Sequence, residues 1–163
     1  MNFRGNLIAL NFDQKGYERE LQKILEQQLL IAIQAWFDVM VSIVPVWTGE
    51  AQGSLGPVAD AIGRFVPVAI RDSSATAPED RVAKGRAQGR FEMQVRGFKA
   101  TFFWETNVEH FLINEVKAAG IRLRFPTPWH AREQAGLAFL RKVKELELPK
   151  AFDFLTRSSI KLG

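Results

Sequence analysis

Two histidines and one dense basic run carry most of the reactive side chains in this sequence. His110 stands among Glu105, Glu109 and Glu115. An imidazole between carboxylates is the donor set of a metal site or of a general acid–base pair. Its spacing fits no ligand pattern such as His-Glu-x-x-His, which sets two imidazoles on one helical face. A metal-dependent hydrolase centred on His110 therefore ranks behind the readings below. His130 follows Trp129 in the first turn of an expected helix, where the positive dipole end disfavours the imidazolium; its expected role is capping or packing. No serine sits in a Gly-x-Ser-x-Gly elbow, and no phosphate-loop pattern occurs. Gly49, Gly53 and Gly56 fall between a helix and a short turn, not between a strand and a helix, so they make no dinucleotide site. With no cysteine there is neither a disulfide nor a thiolate metal ligand. The expectation is a chain that is not an enzyme, with no catalytic, cofactor-binding or metal-binding residues.

The basic run is the more informative feature. Arg81, Lys84, Arg86, Arg90, Arg96 and Lys99 face only Glu92 between residues 81 and 99. Arginines beside glycines can follow a phosphate backbone without reading sequence. No aromatic residue is interleaved within residues 71–90, so base stacking is not indicated there. A solvated loop is the plain alternative. The charge is also uneven: residues 1–60 hold four Lys/Arg against seven Asp/Glu, and residues 61–163 hold eighteen against eleven. A basic second part points to an acidic surface or a polyanion as neighbour.

These residues must be placed by elements. A chain of 163 residues with 47% hydrophobic and 25% charged side chains fits one folded domain with its own core. Apolar residues at Tyr17, Leu21, Ile24 or Leu25, Leu29, Ala32, Trp36, Val39 or Met40, and Ile43 follow a helical period. They predict one helix over residues 14–44, about 45 Å long and stopped by Pro45. Residues 29–46 reach the length of a membrane span, but Gln34, Asp38 and Ser42 form a polar stripe that a bilayer disfavours. The opening residues contain no obvious secretory signal. The second half of the helix is otherwise apolar on most sides, so it needs cover on more than one face. Either the rest of the chain or a neighbouring subunit supplies it.

Further elements follow in order. A helical turn is expected at residues 57–62, closed by Gly63, and then an edge strand at 65–70 carrying Pro67. Residues 71–90 show no hydrophobic periodicity and read as a long charged loop. Phe91, Met93 and Val95 alternate with polar residues, Gly97-Phe98 offers a turn, and residues 101–104 form a second strand. Residues 108–116 read equally as helical turn or strand, and Ile121, Leu123 and Phe125 as a short strand. Thr127 and Pro128 open a helix running to about Leu148, and residues 150–160 read as a short separate helix. The fold class is thus α+β: a long N-terminal helix and a C-terminal helix packed on a small, mostly antiparallel β-sheet. It forms a single domain over residues 1–163, with an N-terminal arm at 1–13, the charged loop at 71–90 and a C-terminal tail at 149–163.

The order of these parts resembles a known family. A long N-terminal helix runs into Pro45-Val46-x-Thr48-Gly49, with Ser54-Leu55 shortly after, then strands and a charged loop. The segment Phe102-Phe-Trp-Glu-Thr-Asn-Val-Glu-His-Phe-Leu leads to Pro128-Trp129 and the last helix. Over roughly residues 14–148 this resembles the minor tail-component family of long-tailed bacteriophages, the tail-completion or head–tail joining proteins of the virion neck. The pattern departs at Trp47 and Glu50, where family members often carry an aspartate and a basic residue. The resemblance implies a structural virion protein of the neck or tail, present in the host cytoplasm during assembly. It implies a homo-oligomeric ring of six subunits around the DNA channel. Its neighbours would be the connector or stopper, the tail terminator and the tail tube, with neither cofactor nor membrane. On that picture Trp36, Val39, Met40, Ile43, Trp47, Thr48 and Gly49 are the expected subunit or partner interface. Arg81, Lys84, Arg86 and Arg90 are the expected contacts to packaged DNA or an acidic partner. The alternative is a free-standing, sequence-nonspecific nucleic-acid-binding domain that uses the basic 81–99 region.

Overall fold

A computed structural model describes residues 7–44, 49–66, 79–109, 111 and 130–160. The architecture is α+β, with a long helix, a C-terminal helix and small antiparallel sheets. Helix α1 (Gln14–Ile43) begins where Asp13 accepts a hydrogen bond from the Gly16 N–H at 2.9 Å, an N-cap that satisfies one free donor of the first turn. At the other end Val44 turns to extended backbone, φ −67° and ψ 111°, the geometry a following proline imposes. The last carbonyls of α1 then need partners. The Gln52 Nε2 supplies them, donating to the Val41 oxygen at 3.1 Å and the Val44 oxygen at 2.8 Å.

Gln52 lies in the short helix α2 (Glu50–Gly53), followed by α3 (Gly56–Ala61). Helix α4 (Glu79–Gln88) crosses α2 and leads directly into the hairpin of β2 (Gly89–Arg96) and β3 (Lys99–Thr106). The approach of α4 is close enough to require missing side chains. A Cβ on Gly85 would overlap the Glu50 carbonyl oxygen, and one on Gly89 would overlap that of Ser54. This corrects the reading of residues 71–90 as one long loop: residues 79–88 are helical. The contact face of α4 is made by glycine, which hydrophobic periodicity does not register. Residues 71–78 lie outside the described part.

Helix α5 (Ala131–Lys144) packs along α1 with Ala131 and Ala135 fully buried, small side chains that let the axes approach. It runs antiparallel to α1: its first turns lie by Trp36, while the segment after it meets Tyr17. The helix ends at Lys144 rather than near Leu148. His130 precedes it in left-handed backbone, φ 51°, and makes no side-chain cap. It takes the N-cap position through its backbone, its carbonyl accepting from the Gln134 N–H at 3.1 Å, while its side chain is exposed.

The core lies between α1, α3, the hairpin and α5. Ile33, Phe37, Met40, Val44, Leu55, Val58 and Phe111 are all at most 2% exposed, and each such large side chain contributes about 2 kcal/mol. A relay of rings ties the layers together. Trp36 of α1 meets Phe102 and Trp104 of β3 at 5.6 and 5.4 Å, Phe102 meets Phe139 of α5 at 5.0 Å, and Trp104 meets Phe111 at 5.4 Å. The two pairs of Trp36 and the Trp104–Phe111 pair are edge-on, an arrangement that adds to burial. The Trp104 Nε1 donates to the Ser54 oxygen at 3.1 Å.

The chain's outer segments form a second ribbon. Strand β1 (Leu7–Phe12) pairs antiparallel with β4 (Leu155–Ile160), from Leu7 opposite Ile160 to Phe12 opposite Leu155. Tyr17 lies between Phe12 and Phe154, at 5.6 and 5.4 Å. The expected helix at 150–160 is thus a 3-10 turn at Ala151–Phe154 followed by a strand. Thr156 and Ile160 are β-branched, and the paired strand that decides the matter is more than 140 residues distant in the sequence.

Several expectations fall outside the described residues: Pro45, Trp47 and Thr48, the strand positions at 67–70 and 121–125, His110, and residues 127–129 ahead of α5.

Candidate interaction surfaces

The expected interface on α1 is largely internal. Trp36 and Met40 are 6% and 0% exposed within the single chain. Val39 and Ile43 are partly buried and pack on the same cluster. Trp36 and Met40, expected at a subunit contact, are thus buried within the single chain, where α5, the hairpin and α3 supply cover for the apolar half of α1, and Trp36 also reaches a cleft beside α5. Gly49 precedes α2 with φ 80°. Helix α1 is long and apolar enough to cross a membrane by length and composition. Its apolar face, however, forms this protein's core, and Asp38 on the opposite side lies 3.3 Å from Arg64.

The four cations expected to meet DNA each face a carboxylate of the same chain. Lys84 Nζ is 2.8 Å and Arg81 3.8 Å from Glu50, whose side chain is only 9% exposed. Arg86 pairs with Asp60, and Arg90 with Glu92. The Arg90 guanidinium is held above its ordinary pKa by its hydrogen bond to Glu92, then by the charge of Glu92. With Glu79 and Asp80 in its first turn, α4 is close to neutral in its setting. A free basic loop is therefore not what this segment presents. Sequence proximity shows only Glu92, because Glu50 and Asp60 arrive from α2 and α3.

Two further surfaces expose large apolar side chains. On α5, Leu137, Leu140 and Val143 recur at three-residue spacing and are 52%, 54% and 42% exposed. Beside them a mostly apolar cleft of about 360 Å³ is lined by Trp36, Phe102, Phe139, Leu137 and Leu140, together with Arg132, Glu133 and Gly136. The helical period does contain this row, but a one-dimensional pattern does not separate the face that α1 takes from the face left over. The second surface is the tip of the β2–β3 hairpin, where Phe98 is 74% exposed between Arg96 and Lys99.

Among the described residues no group of three or more His, Asp or Glu side chains is placed to hold a metal ion. His130 comes no closer than 3.9 Å to the exposed carboxylate of Glu133. No family model matches the chain, and no curated protein or solved structure matches it.

Proposed function

We propose that this chain is a structural subunit of the neck of a long-tailed bacteriophage, joining or completing the tail as a ring of identical copies around the DNA channel. The order of parts along residues 14–148 supports this reading. The observation that carries it is the outward row of Leu137, Leu140 and Val143 on α5, continuous with the cleft floored by Trp36 and Phe102. Half-exposed leucines beside an apolar groove are costly in water and are relieved when another surface covers them. The occupant we assign is a second copy, since a ring places the same row at every joint. Connector or stopper, tail terminator and tail tube would then meet the ring's two ends.

Sedimentation velocity of the purified chain tests this. The parent should form a species several times the monomer mass, seen as rings in negative stain, and Leu137→Lys with Leu140→Lys should return it to monomer. A parent that stays monomeric at every concentration, or a variant that assembles unchanged, overturns the assignment. Finding the chain in purified particles, at the head–tail joint, tests the virion reading separately.

A further inference from the structure

We propose that the tip of the β2–β3 hairpin is a contact for duplex DNA, with Arg96 and Lys99 facing backbone phosphates and Phe98 entering the groove between them. This goes beyond the neck reading and stands on the hairpin's geometry.

The pattern of charge pairing sets the tip apart. Of the six cations between residues 81 and 99, four face carboxylates within the chain. Arg96 and Lys99 have no carboxylate within salt-bridge distance among the described residues. A close partner of Arg96 is neutral: with the Gln94 amide turned so that its oxygen faces the guanidinium, that oxygen accepts at 2.9 and 3.0 Å. Gln94 thus orients the charge without cancelling it.

The tip is also costly to the hairpin. Arg96 and Lys99 are directly opposite in the register that closes the hairpin, and like charges so placed destabilise a strand pair. Gly97 has φ 55°, as the first central position of a II′-type turn requires. The turn needs that glycine, but it places no demand for phenylalanine at the next position. A large ring at the most exposed point of the ribbon, between two facing cations, opposes the local rules for a stable hairpin, and such violations concentrate at functional sites.

The shape of the ribbon suits a duplex. A two-stranded ribbon is narrow enough to enter the major groove. The partners that follow on the same outer face are Gln94 opposite Thr101 and then Glu92 opposite Phe103. Gln94 and Thr101 offer uncharged hydrogen-bonding groups. Glu92, the nearest carboxylate on this face, is already engaged by Arg90. The tip therefore presents positive charge without local competition. With only an apolar ring at its apex, it would bind without sequence preference.

The test is fluorescence anisotropy of the full chain with a random-sequence DNA duplex over a salt series. In the Arg96→Gln, Lys99→Gln variant the slope of log affinity against log salt should fall by about 2, close to one unit for each phosphate no longer neutralised. Phe98→Ala should weaken binding at every salt concentration with the slope unchanged. Arg86→Gln, whose cation faces Asp60, should leave the slope as in the parent. The proposal is overturned if the parent does not bind the duplex at low salt, or if the double variant keeps the parental slope. It is equally overturned if the double variant binds DNA normally but loses self-association, which would assign the tip to a protein contact. Loss of DNA binding with intact assembly supports it, and separates this outcome from any failure of the α5 row.

Discussion

Lys84 Nζ lies 2.8 Å from Oε1 of Glu50, a carboxylate that α2 and α4 together leave only 9% exposed. The pair makes α4 a clamped helix and uses a charge that the sequence offers to an outside partner. Replacing both Arg81 and Lys84 with methionine removes two cations that face a nearly buried carboxylate. The expected cost is about 1–3 kcal/mol in urea unfolding. Adding Glu50→Gln to that variant should recover most of the loss, because the buried side chain is then neutral.

Gly85 and Gly136 should respond in opposite directions to alanine. At Gly85 the added methyl meets the Glu50 carbonyl, so α4 must lift, at a cost of about 1–3 kcal/mol. At Gly136, inside α5, nothing lies within 4 Å of the new Cβ. There the gain in helix propensity should stabilise by about 0.5–1 kcal/mol. Thermal and denaturant midpoints of the two variants give the signs directly.

Trp36→Ala separates a core residue from an interface residue. The ring touches Phe102 and Trp104 inside one chain, so its loss should destabilise by about 3–5 kcal/mol at any protein concentration. A residue reserved for contact between copies would leave dilute protein unchanged. Equilibrium unfolding across a concentration series distinguishes the two.

Leu137 and Leu140 should behave in the contrary way. Charged substitutions at these half-exposed sites are expected to shift monomer stability by no more than about 0.5 kcal/mol. Their effect should be seen instead in the sedimentation profile.

Gln52→Ala removes the donor that caps α1. It leaves the Val41 and Val44 carbonyls without the Gln52 amide, and should cost about 1–3 kcal/mol. Hydrogen exchange should show the opening concentrated in the last turn of α1, with the middle of the helix still protected.

Legibility in the sequence follows the range of the interactions involved. Helix α1 announces itself through its own period and its proline, and the hairpin through alternation around Gly97. What stays hidden is information held between distant segments. Helix α4 is built on glycine contacts with α2, and periodicity counts only large side chains. The strand at residues 155–160 reads as helix because its partner lies near the other end of the chain. The basic run looks free because Glu50 and Asp60 are far off in sequence and near in space. The apolar half of α1 does need cover, but composition gives no means of telling that α5 and the hairpin provide it. The leftover row on α5 is the same lesson inverted: residues that look like ordinary core in one dimension remain outside in three.

The ribbon of β1 and β4 has a consequence for how the molecule is made. Leu7 waits for Ile160, so a nascent chain emerging from the ribosome carries β1 without a mate until the long intervening segment and β4 have been translated. During that interval its hydrogen-bonding groups are open to any extended segment nearby, including the same strand on a neighbouring polysome. Slower elongation should lengthen the hazard, and supplying residues 155–160 as a separate peptide should shorten it.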